Sequence, residues 1–502
     1  MKYILILADS KKSITEYAKK TVPASEKYEI DYYPVYGKVY EYLFIDRKNL
    51  VSQQKIDNKI LHKILFFKDN YIDFEDIFVL INLRENYKEK EDFVSAKDIN
   101  QLINEIEVFE KKDIFKSFPQ SLQIESTSFC NAECIMCRHF YQKNTNARSL
   151  EIEIVKELSS ALPYVFDVVI NGYGEPFLSA TLNEQMELYR HYACNITTNT
   201  NLSFVNEQII EWINSMFRQI EISCDGASKK TFEEIRKNLS FNKFIKNLKL
   251  LREKCPDVLI RFSVVAMRQN IQELNAIVEL AKEFGVYLIT FVNIGTDVII
   301  RNQADSIYNY PAAFWHAFEE AKKTGKKYGI IIDTPYIEAD EYALDSRNQK
   351  RELKMIADSL RSFELDQDKV RARYNEFLNK KNSPKHWHES DTDIVCEGIC
   401  DWLVNRCYID LEGEVFPCCT NHKKSMGNLH NEGLFQIWNG AEYVKMRKIF
   451  HSGKIPGSCL GCSHIVDRKL HLLHLTDDEL NRYILRSEEY KRNRESGELD
   501  DE

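Results

Sequence analysis

Residues 126–140 read STSFCNAECIMCRHF and hold three cysteines, Cys130, Cys134 and Cys137, in a C-x3-C-x2-C pattern. This tight spacing lets one loop wrap a compact metal centre. Three thiolates at a four-iron cubane leave one iron without a protein ligand. An open iron can bind a substrate or a cofactor, as an open position does at other catalytic metals. Zinc with His139 as the fourth ligand is the alternative, although a histidine so soon after a cysteine fits the usual zinc spacings poorly.

The cysteine loop stands within a regular series of strand-like and helical stretches. Strands that alternate with helical patterns predict βαβ units and a parallel sheet. Such units wind with one hand and can close into a full or partial barrel. The strand-like runs are, in chain order, LQIEST, VFDVVING, ACNITTN, RQIEISCDG, VLIRFSVVAM and VYLITFVNI. The sequence therefore predicts an α/β fold.

The composition limits the class of protein. The chain has 502 residues, 44% apolar and 29% charged, which is the balance of a folded protein of about two to four domains. A net charge of −9 weighs against a nucleic-acid partner. The opening MKYILILADSKK is too short in apolar residues for a secretory signal, and no run approaches the ~20 residues of a membrane span. We therefore expect a cytoplasmic protein with no membrane partner, in which clustered cysteines indicate metal or redox chemistry rather than disulfides.

The cysteine loop and the strand series resemble the radical S-adenosylmethionine (SAM) superfamily. In that family the three cysteines follow strand 1 of a partial (βα)6 barrel and hold a [4Fe–4S] cluster. The resemblance implies that Cys130, Cys134 and Cys137 hold this cluster, and that the amino and carboxylate groups of SAM chelate the open iron. One electron then splits SAM into methionine and a 5′-deoxyadenosyl radical, which takes a hydrogen atom from the substrate. Met136 stands where the family often has an aromatic residue, and it still offers the adenine an apolar contact.

Polar motifs at the strand ends extend the resemblance. Residues 171–176, NGYGEP, look like the family's GGEP turn, in which glycines permit close backbone approach and a carboxylate complements the SAM ammonium group. Residues 197–201, TTNTN, and 223–226, SCDG, are similar to the polar ends of strands 3 and 4. Each residue alone is explained by capping or turn formation, but barrel chemistry gathers at the carboxyl ends of the strands. The SAM-binding residues that the resemblance implies are Gly172, Tyr173, Gly174, Glu175, Pro176, Asn199, Ser223, Asp225 and the helix-4 arginine, Arg236.

Three cysteines lie singly between the two cysteine groups. We expect Cys224 to face the core, with a position beside the substrate pocket as the alternative. Cys194 and Cys255 are expected to be core or surface thiols.

A second cysteine group occupies residues 396–462. Two β-rich runs around Glu412-Gly413 predict a hairpin that brings Cys400 and Cys418 together. With the closing C-x2-C they make a plausible four-thiolate site, for which a zinc ribbon is the competing interpretation. The group consists of Cys396, Cys400, Cys407, Cys418, Cys419, Cys459 and Cys462.

This segment looks like the SPASM/Twitch domain of radical SAM enzymes. The stretches GEVFPCC, GNL and IWN, followed by Arg447 and the closing C-x2-C, carry the resemblance. The full SPASM form holds two auxiliary clusters on seven cysteines at a spacing that this chain lacks, so we expect the single auxiliary [4Fe–4S] cluster of the Twitch form. Its expected ligands are Cys400, Cys418, Cys459 and Cys462. Cys419 is an alternative to Cys418, Cys396 and Cys407 are unassigned, and Cys407 is expected to be buried.

These features divide the chain into five predicted regions. Residues 1–115 form an α/β accessory domain, 116–335 the partial barrel, 336–390 a helical connector, 391–470 a small α+β SPASM/Twitch domain and 471–502 a charged tail. In the accessory domain YILILA, YEIDYYPV, YEYLFI and DIFVLIN read as short strands. That domain has no glycine-rich phosphate loop, so we expect a docking or structural role.

The resemblance implies an iron–sulfur enzyme, with an oxidoreductase as the leading hypothesis because an auxiliary cluster can accept an electron. The expected reaction is oxidation of a substrate C–H bond in a small or carbohydrate-like alcohol. Modification of a ribosomal peptide or protein is the alternative, and a non-catalytic iron–sulfur binding protein is a third possibility. An electron donor such as flavodoxin or ferredoxin is also implied. The sequence identifies neither the catalytic base nor the oligomeric state.

Overall fold

A computed structural model describes residues 2–7, 28–31, 42–45, 74–137, 147–294, 305–334, 341–361, 400–419, 424–454, 456 and 459. Predictions that concern His139, Cys396, Cys462, the charged tail and most of the connector fall outside these residues. Within the described part of the chain, no helix is long and apolar enough to cross a membrane.

Ten strands form the main sheet, and its order is β12-β11-β10-β8-β7-β6-β4-β13-β14-β15. Neighbouring strands run parallel from β12 to β13, whereas β13, β14 and β15 are antiparallel to one another. The strands are β4 (Ser121–Ile124), β6 (Asp167–Ile170), β7 (Asn195–Thr200), β8 (Gln219–Ser223), β10 (Leu259–Ala266), β11 (Val286–Asn293), β12 (Ile331–Asp333), β13 (Arg406–Ile409), β14 (Glu414–Phe416) and β15 (Gly427–Asn428). All six strand-like runs of the barrel segment are confirmed as strands, and so is the predicted α/β class.

Helices connect successive parallel strands, as βαβ units require. Their apolar sides and alternate strand residues pack in one core, as Leu122 and Ile124 do with Trp212 and Leu248. The helices from the barrel segment onward are α3 (Ile152–Glu157), α4 (Leu182–His191), α5 (Glu207–Met216), α6 (Lys229–Ile235), α7 (Phe241–Lys254), α8 (Leu274–Glu283), α9 (Pro311–Tyr328), α10 (Glu341–Leu344), α11 (Ser346–Arg361), α12 (Asp401–Asn405), α13 (Leu434–Trp438) and α14 (Ala441–His451). The alternation leaves every second strand residue on the opposite, more polar face.

The C-terminal hairpin extends the sheet of the barrel segment. Strand β13 lies parallel to β4, with Arg406 opposite Ser121 and Ile409 opposite Ile124. The predicted hairpin around Glu412-Gly413 is confirmed, since β13 pairs antiparallel with β14. The second cysteine group is therefore attached to the strand that leads into the first.

The N-terminal segment contains a second sheet, with strands β1 (Lys2–Leu7), β2 (Tyr28–Asp31) and β3 (Tyr42–Ile45) in the parallel order β2-β1-β3. The strand predicted at DIFVLIN is wrong. Those residues lie in helix α1 (Phe74–Glu89), which packs against α2 (Phe93–Phe109). A short run of β-branched and aromatic residues fits a buried helix turn as well as a strand, and contacts with α2 decide between them.

Helix α2 connects the N-terminal segment to both later regions through buried polar side chains. Lys97 donates its ammonium group to the carbonyls of Tyr192 and Ala193 at 2.6 and 2.7 Å, just after α4. Asn104 donates its amide to the carbonyl of Val404 at 2.7 Å. One helix thus holds the barrel segment and the C-terminal domain together.

Candidate iron–sulfur and cofactor site

The first cysteine group lies in the loop after β4. Cys134 is buried in the two-residue strand β5 (Glu133–Cys134), and Cys130 and Cys137 are half-buried. Burial raises the pKa of the Cys130 thiol to about 11 and that of Cys134 to about 12, so binding iron must release their protons. Within the described ranges, no three side chains of His, Cys, Asp or Glu converge closely enough to hold one metal ion. A four-iron cubane is larger, and its cysteine ligands lie farther apart than those of one zinc ion.

The turn at residues 171–176 packs directly on the start of the cysteine loop. The backbone N–H of Gly174 donates to the carbonyl of Thr127 at 3.1 Å, and that of Glu175 donates to the carbonyl of Phe129 at 2.8 Å. A Cβ at Gly174 would stand 2.3 Å from the Thr127 carbonyl oxygen, so only glycine allows this approach. The turn and the loop that were matched separately in the sequence are neighbours in the fold.

Glu175 connects this turn to the end of β7. Its buried carboxylate accepts the hydroxyl of Thr200 at 2.6 Å and the backbone N–H of Asn201 at 2.7 Å. The Asn201 amide lies 3.9 Å from the sulfur of Cys130. Burial raises the pKa of Glu175, and the two donors oppose that effect. Oε1 also accepts the backbone N–H of Phe177 at 3.4 Å, whereas Oε2 accepts only that of Asn201 among the bonds described and keeps a second lone pair. An ammonium group is therefore a chemically suitable partner for Oε2.

Asp225 and Arg236 form a buried ion pair at the end of β8. Arg236 Nε lies 2.7 Å from Asp225 Oδ2, and Asp225 Oδ1 accepts the backbone N–H of Val265 at 2.7 Å. Arg236 also donates through Nη1 to the sulfur of Cys134 at 3.6 Å. Its strand β9 (Arg236–Lys237) pairs with β5, which sets Arg236 opposite Cys134. The structure thus connects Arg236 to the first cysteine group, a contact that the sequence did not indicate.

The remaining predicted SAM-binding residues are spread along the same end of the sheet. Asn199 is exposed and donates its amide to Glu221 at 2.9 Å. Ser223 is half-buried and lies opposite Ser263 of β10. Pro176 is buried and begins a short 3-10 turn. These residues share the carboxyl ends of adjacent strands with the turn and the cysteine loop.

Sequence reasoning missed Glu125, a buried carboxylate directly after β4. Its Oε1 accepts the backbone N–H of Tyr173 at 3.0 Å, and a Cβ at Gly172 would stand 2.4 Å from its Cγ. Its Oε2 accepts the hydroxyl of Tyr408 from β13 at 3.4 Å. Burial raises the pKa of Glu125. The available signal was the alternation Gln-Ile-Glu, which places a carboxylate on the polar face of the sheet.

The cysteines outside the first group differ in burial. Cys224, Cys194 and Cys255 are buried in the core, as expected for Cys224. Cys407 is fully buried on β13, and burial raises the pKa of its thiol. The half-buried members of the second group are Cys400, Cys418, Cys419 and Cys459.

A buried arginine stabilises the second cysteine group. Arg447 donates to the carbonyls of Leu403, Asp113 and Trp438 at 2.8, 3.1 and 2.9 Å. Its guanidinium group lies 4.2 Å from the ring centroid of Phe115 and 4.4 Å from that of Trp438. Burial lowers the pKa of Arg447 to about 10. The residues around Cys400 are thereby fixed to the segment before β4.

Two family models match the chain. The Radical SAM superfamily matches residues 124–281, and SPASM, an iron–sulfur cluster-binding domain, matches residues 400–463. These ranges contain the two cysteine groups, apart from Cys396. A radical SAM domain binds a [4Fe–4S] cluster and SAM, and a SPASM domain binds auxiliary iron–sulfur clusters.

Two curated relatives each match about a third of the chain. Mycofactocin maturase MftC of Mycolicibacterium smegmatis is 27% identical over 173 residues, which are 34% of this chain and 43% of that protein. Protein MJ0907 of Methanocaldococcus jannaschii is 27% identical over 183 residues, 34% of this chain and 61% of that protein. The chain thus spans about half the length of the curated relatives it matches.

Solved structures are also similar. SuiB of Streptococcus suis, bound to S-adenosylmethionine, has a TM-score of 0.47 and 14% identity, and the match covers 79% of this chain and 88% of SuiB.

Proposed function

The chain is a radical SAM enzyme with a C-terminal SPASM domain, and from this premise we propose that it oxidatively modifies a ribosomal peptide or protein. The proposal includes the ligands of both clusters. Cys130, Cys134 and Cys137 hold the SAM-binding cluster. Cys400, Cys418, Cys459 and Cys462 hold one auxiliary [4Fe–4S] cluster.

The pairing of β13 with β4 is the observation that carries this proposal. Four residue pairs, from Arg406–Ser121 to Ile409–Ile124, join the strand before the first cysteine group to the hairpin of the second. A continuous sheet fixes the distance between the two groups. Such a fixed distance suits a reaction in which a hydrogen atom leaves the substrate on one side and an electron leaves on the other.

When bound, the cofactors supply a 5′-deoxyadenosyl radical that takes a hydrogen atom from the substrate and an auxiliary cluster that accepts an electron. The chain's own residues bind these cofactors and orient them against the substrate. The turn from Gly172 to Pro176 and the end of β7 would hold the methionine part of SAM, and the Glu175 carboxylate would accept its ammonium group. Asn199 in β7 and Ser223 at the end of β8 would contact its ribose and carboxylate.

The substrate class rests on the relative in M. smegmatis, which is a maturase. Maturation of a precursor is closer to peptide modification than to oxidation of a free metabolite. Exposed aromatic side chains stand beside the cysteine loop, where Phe129 is 47% and Tyr173 37% exposed. Such rings offer apolar contacts to a peptide side chain.

Oxidation of a small or carbohydrate-like alcohol is the second candidate. In this reaction the alcohol would lose a hydrogen atom, an electron and a proton, as the peptide would in the first candidate. A cysteine pattern suited to a single auxiliary cluster favours it. We also infer an electron donor such as flavodoxin or ferredoxin, and a reducing cytoplasm, which suits clusters held by thiolates.

The amounts of iron and acid-labile sulfide per chain, measured after anaerobic reconstitution, test whether the protein holds two clusters. About eight irons per chain, falling to about four when Cys130, Cys134 and Cys137 become alanine, would support two four-iron clusters. About four irons in the wild type would remove the electron acceptor from the proposal.

Deuterium transfer then separates the two substrate classes. The loaded enzyme is given SAM, a reductant and either deuterated candidate precursor peptides or deuterated polyols. Deuterium in 5′-deoxyadenosine from a peptide alone supports peptide modification. Transfer from a polyol alone would replace it with alcohol oxidation.

A further inference from the structure

We propose that Arg236, held by Asp225, is a positioning residue that raises the reduction potential of the SAM-binding cluster by donating a hydrogen bond to the sulfur of Cys134. This inference rests on the proposed ligation of that cluster by Cys134. It gives Arg236 and Asp225 a role toward the cluster in addition to any contact with SAM.

The geometry of Arg236 fixes its guanidinium group against this sulfur. The side chain leaves the backbone directly opposite Cys134, because β5 and β9 pair there. The neighbouring backbone bond from the Ile135 N–H to the Ile235 carbonyl, at 3.0 Å, holds the two strands in this register. Nη1 then points at the sulfur at 3.6 Å, a normal length for a hydrogen bond to sulfur.

Asp225 keeps the guanidinium group from turning away. Its Oδ2 lies 2.7 Å from Arg236 Nε, and its Oδ1 is held by the Val265 backbone N–H. Asn270 donates to the Asp225 carbonyl at 3.0 Å and so fixes the backbone as well. Asp225 is fully buried and Arg236 is 7% exposed, so solvent screens this array little.

The direction of the effect follows from charge. A cluster gains one negative charge on reduction, and hydrogen bonds to its sulfur ligands and nearby positive charge favour the reduced state. Arg236 supplies both, whereas Asp225 offsets part of the positive charge. Loss of Arg236 therefore lowers the potential, and loss of the Asp225 charge alone raises it.

Redox titration followed by EPR tests the inference on the holoenzyme. The SAM-binding cluster is recognised because its EPR signal changes when SAM is added, and the auxiliary cluster serves as an internal reference. We expect Arg236→Gln to disfavour reduction of the SAM-binding cluster about tenfold, which is ~59 mV for one electron. Asp225→Asn should shift the same potential upward, and Arg236→Lys should restore part of the wild-type value.

Two further variants separate the local effect from a general loss of structure. The double variant Asp225→Asn/Arg236→Gln removes both buried charges together and avoids leaving one of them unpaired. It should still lower the potential, but by less than Arg236→Gln does, because the two opposite charges are removed together and only the hydrogen bond to Cys134 is lost. Arg84→Gln removes another buried arginine, which contacts Asn100 and the Lys116 carbonyl, and should leave both potentials unchanged.

The outcomes are distinct. Equal shifts of both clusters, or no shift in Arg236→Gln and the double variant, would overturn the inference while the proposed function stands. A wild-type enzyme with no SAM-responsive cluster would overturn both.

Discussion

Tyr408 of the C-terminal hairpin donates its hydroxyl to Glu125 at the end of the first barrel-segment strand, across 3.4 Å. Both side chains are buried, at 2% and 5% exposure. Glu125 in turn accepts the backbone N–H of Tyr173, in the turn proposed to bind SAM. One carboxylate therefore contacts both the proposed SAM turn and the SPASM domain.

The first prediction concerns this contact. Because each partner is buried, Tyr408→Phe and Glu125→Gln should show a coupling of about 1 kcal/mol in a double-mutant cycle. Urea unfolding of cluster-loaded protein, followed anaerobically by circular dichroism, measures it. Additive single effects would mean that the hydroxyl contributes nothing through Glu125.

The second prediction concerns Glu175. If its carboxylate binds the SAM ammonium group, Glu175→Gln should weaken SAM binding about tenfold, because a charge-assisted hydrogen bond is lost. Calorimetric titration of the loaded enzyme with SAM measures the affinity. Thr200→Val is the matched control, since it removes a donor to Glu175 and keeps the charge. An unchanged affinity in Glu175→Gln would show that this carboxylate does not bind SAM and only stabilises the turn.

The third prediction decides between two adjacent cysteines. Cys418→Ala should remove about four irons from the loaded protein, whereas Cys419→Ala should retain about eight. Both thiols are half-buried after β14, so the pair is matched in position and exposure. The reverse result would identify Cys419, in place of Cys418, as the ligand of the auxiliary cluster.

The fourth prediction is a pH dependence from Asp410. Burial raises the pKa of this carboxyl to about 6. The hydrogen bond from the Glu414 backbone N–H and the charge of Arg148 oppose this effect, whereas the Glu414 carboxylate adds to it. A carboxyl whose pKa is raised by folding contributes stability at low pH that is lost as the pH rises through that pKa. Wild type should therefore lose thermal stability relative to Asp410→Asn as the pH rises from about 4, near the ordinary pKa of 3.8, to about 7, above the raised pKa.

Asparagine keeps the Oδ1 acceptor that Asp410 offers to the backbone of Glu412 and Glu414 at 3.0 and 2.9 Å. Thermal unfolding of loaded protein across this pH range gives the difference. Glu412→Gln, at an exposed position, is the control and should show no such trend. A constant offset between wild type and Asp410→Asn would contradict the prediction.

The fifth prediction concerns Arg447, which is fully buried. Arg447→Lys should lower the free energy of unfolding by about 3 kcal/mol, because one ammonium group cannot reproduce three separate hydrogen bonds and the ring contacts. Arg406→Lys, in a half-exposed ion pair with Asp401 of the same domain, should change it by less than about 1 kcal/mol. Equal decreases in the free energy of unfolding for the two substitutions, measured with urea, would show that the buried contacts of Arg447 do not stabilise the protein more than an exposed ion pair does.

Local patterns in the sequence predicted most of the strands and the neighbourhood of the cysteine loop. The βα alternation and the motifs at strand ends depend on nearby residues, so the turn at 171–176 and six strands could be predicted, namely β4, β6, β7, β8, β10 and β11. The short strands β5 and β9 could not. The helix at DIFVLIN could not, because α2 determines it. Contacts between residues that are far apart in sequence could not be predicted either, as between Arg236 and Cys134 or between Tyr408 and Glu125. Such pairs depend on which strands become neighbours, and hydrophobic periodicity does not report this.

The parallel pairing of β4 with β13 has a consequence for synthesis. Strand β4 is synthesised long before β13. Until β13 is made, the backbone N–H and C=O groups on that side of β4 lack the strand with which they pair in the folded protein. An open strand margin of this kind is a template for pairing with other chains. Contacts so far apart in sequence also form slowly. A chain truncated before residue 400 should therefore self-associate. The hairpin would then protect the chain against aggregation, in addition to forming part of an iron–sulfur cluster-binding domain.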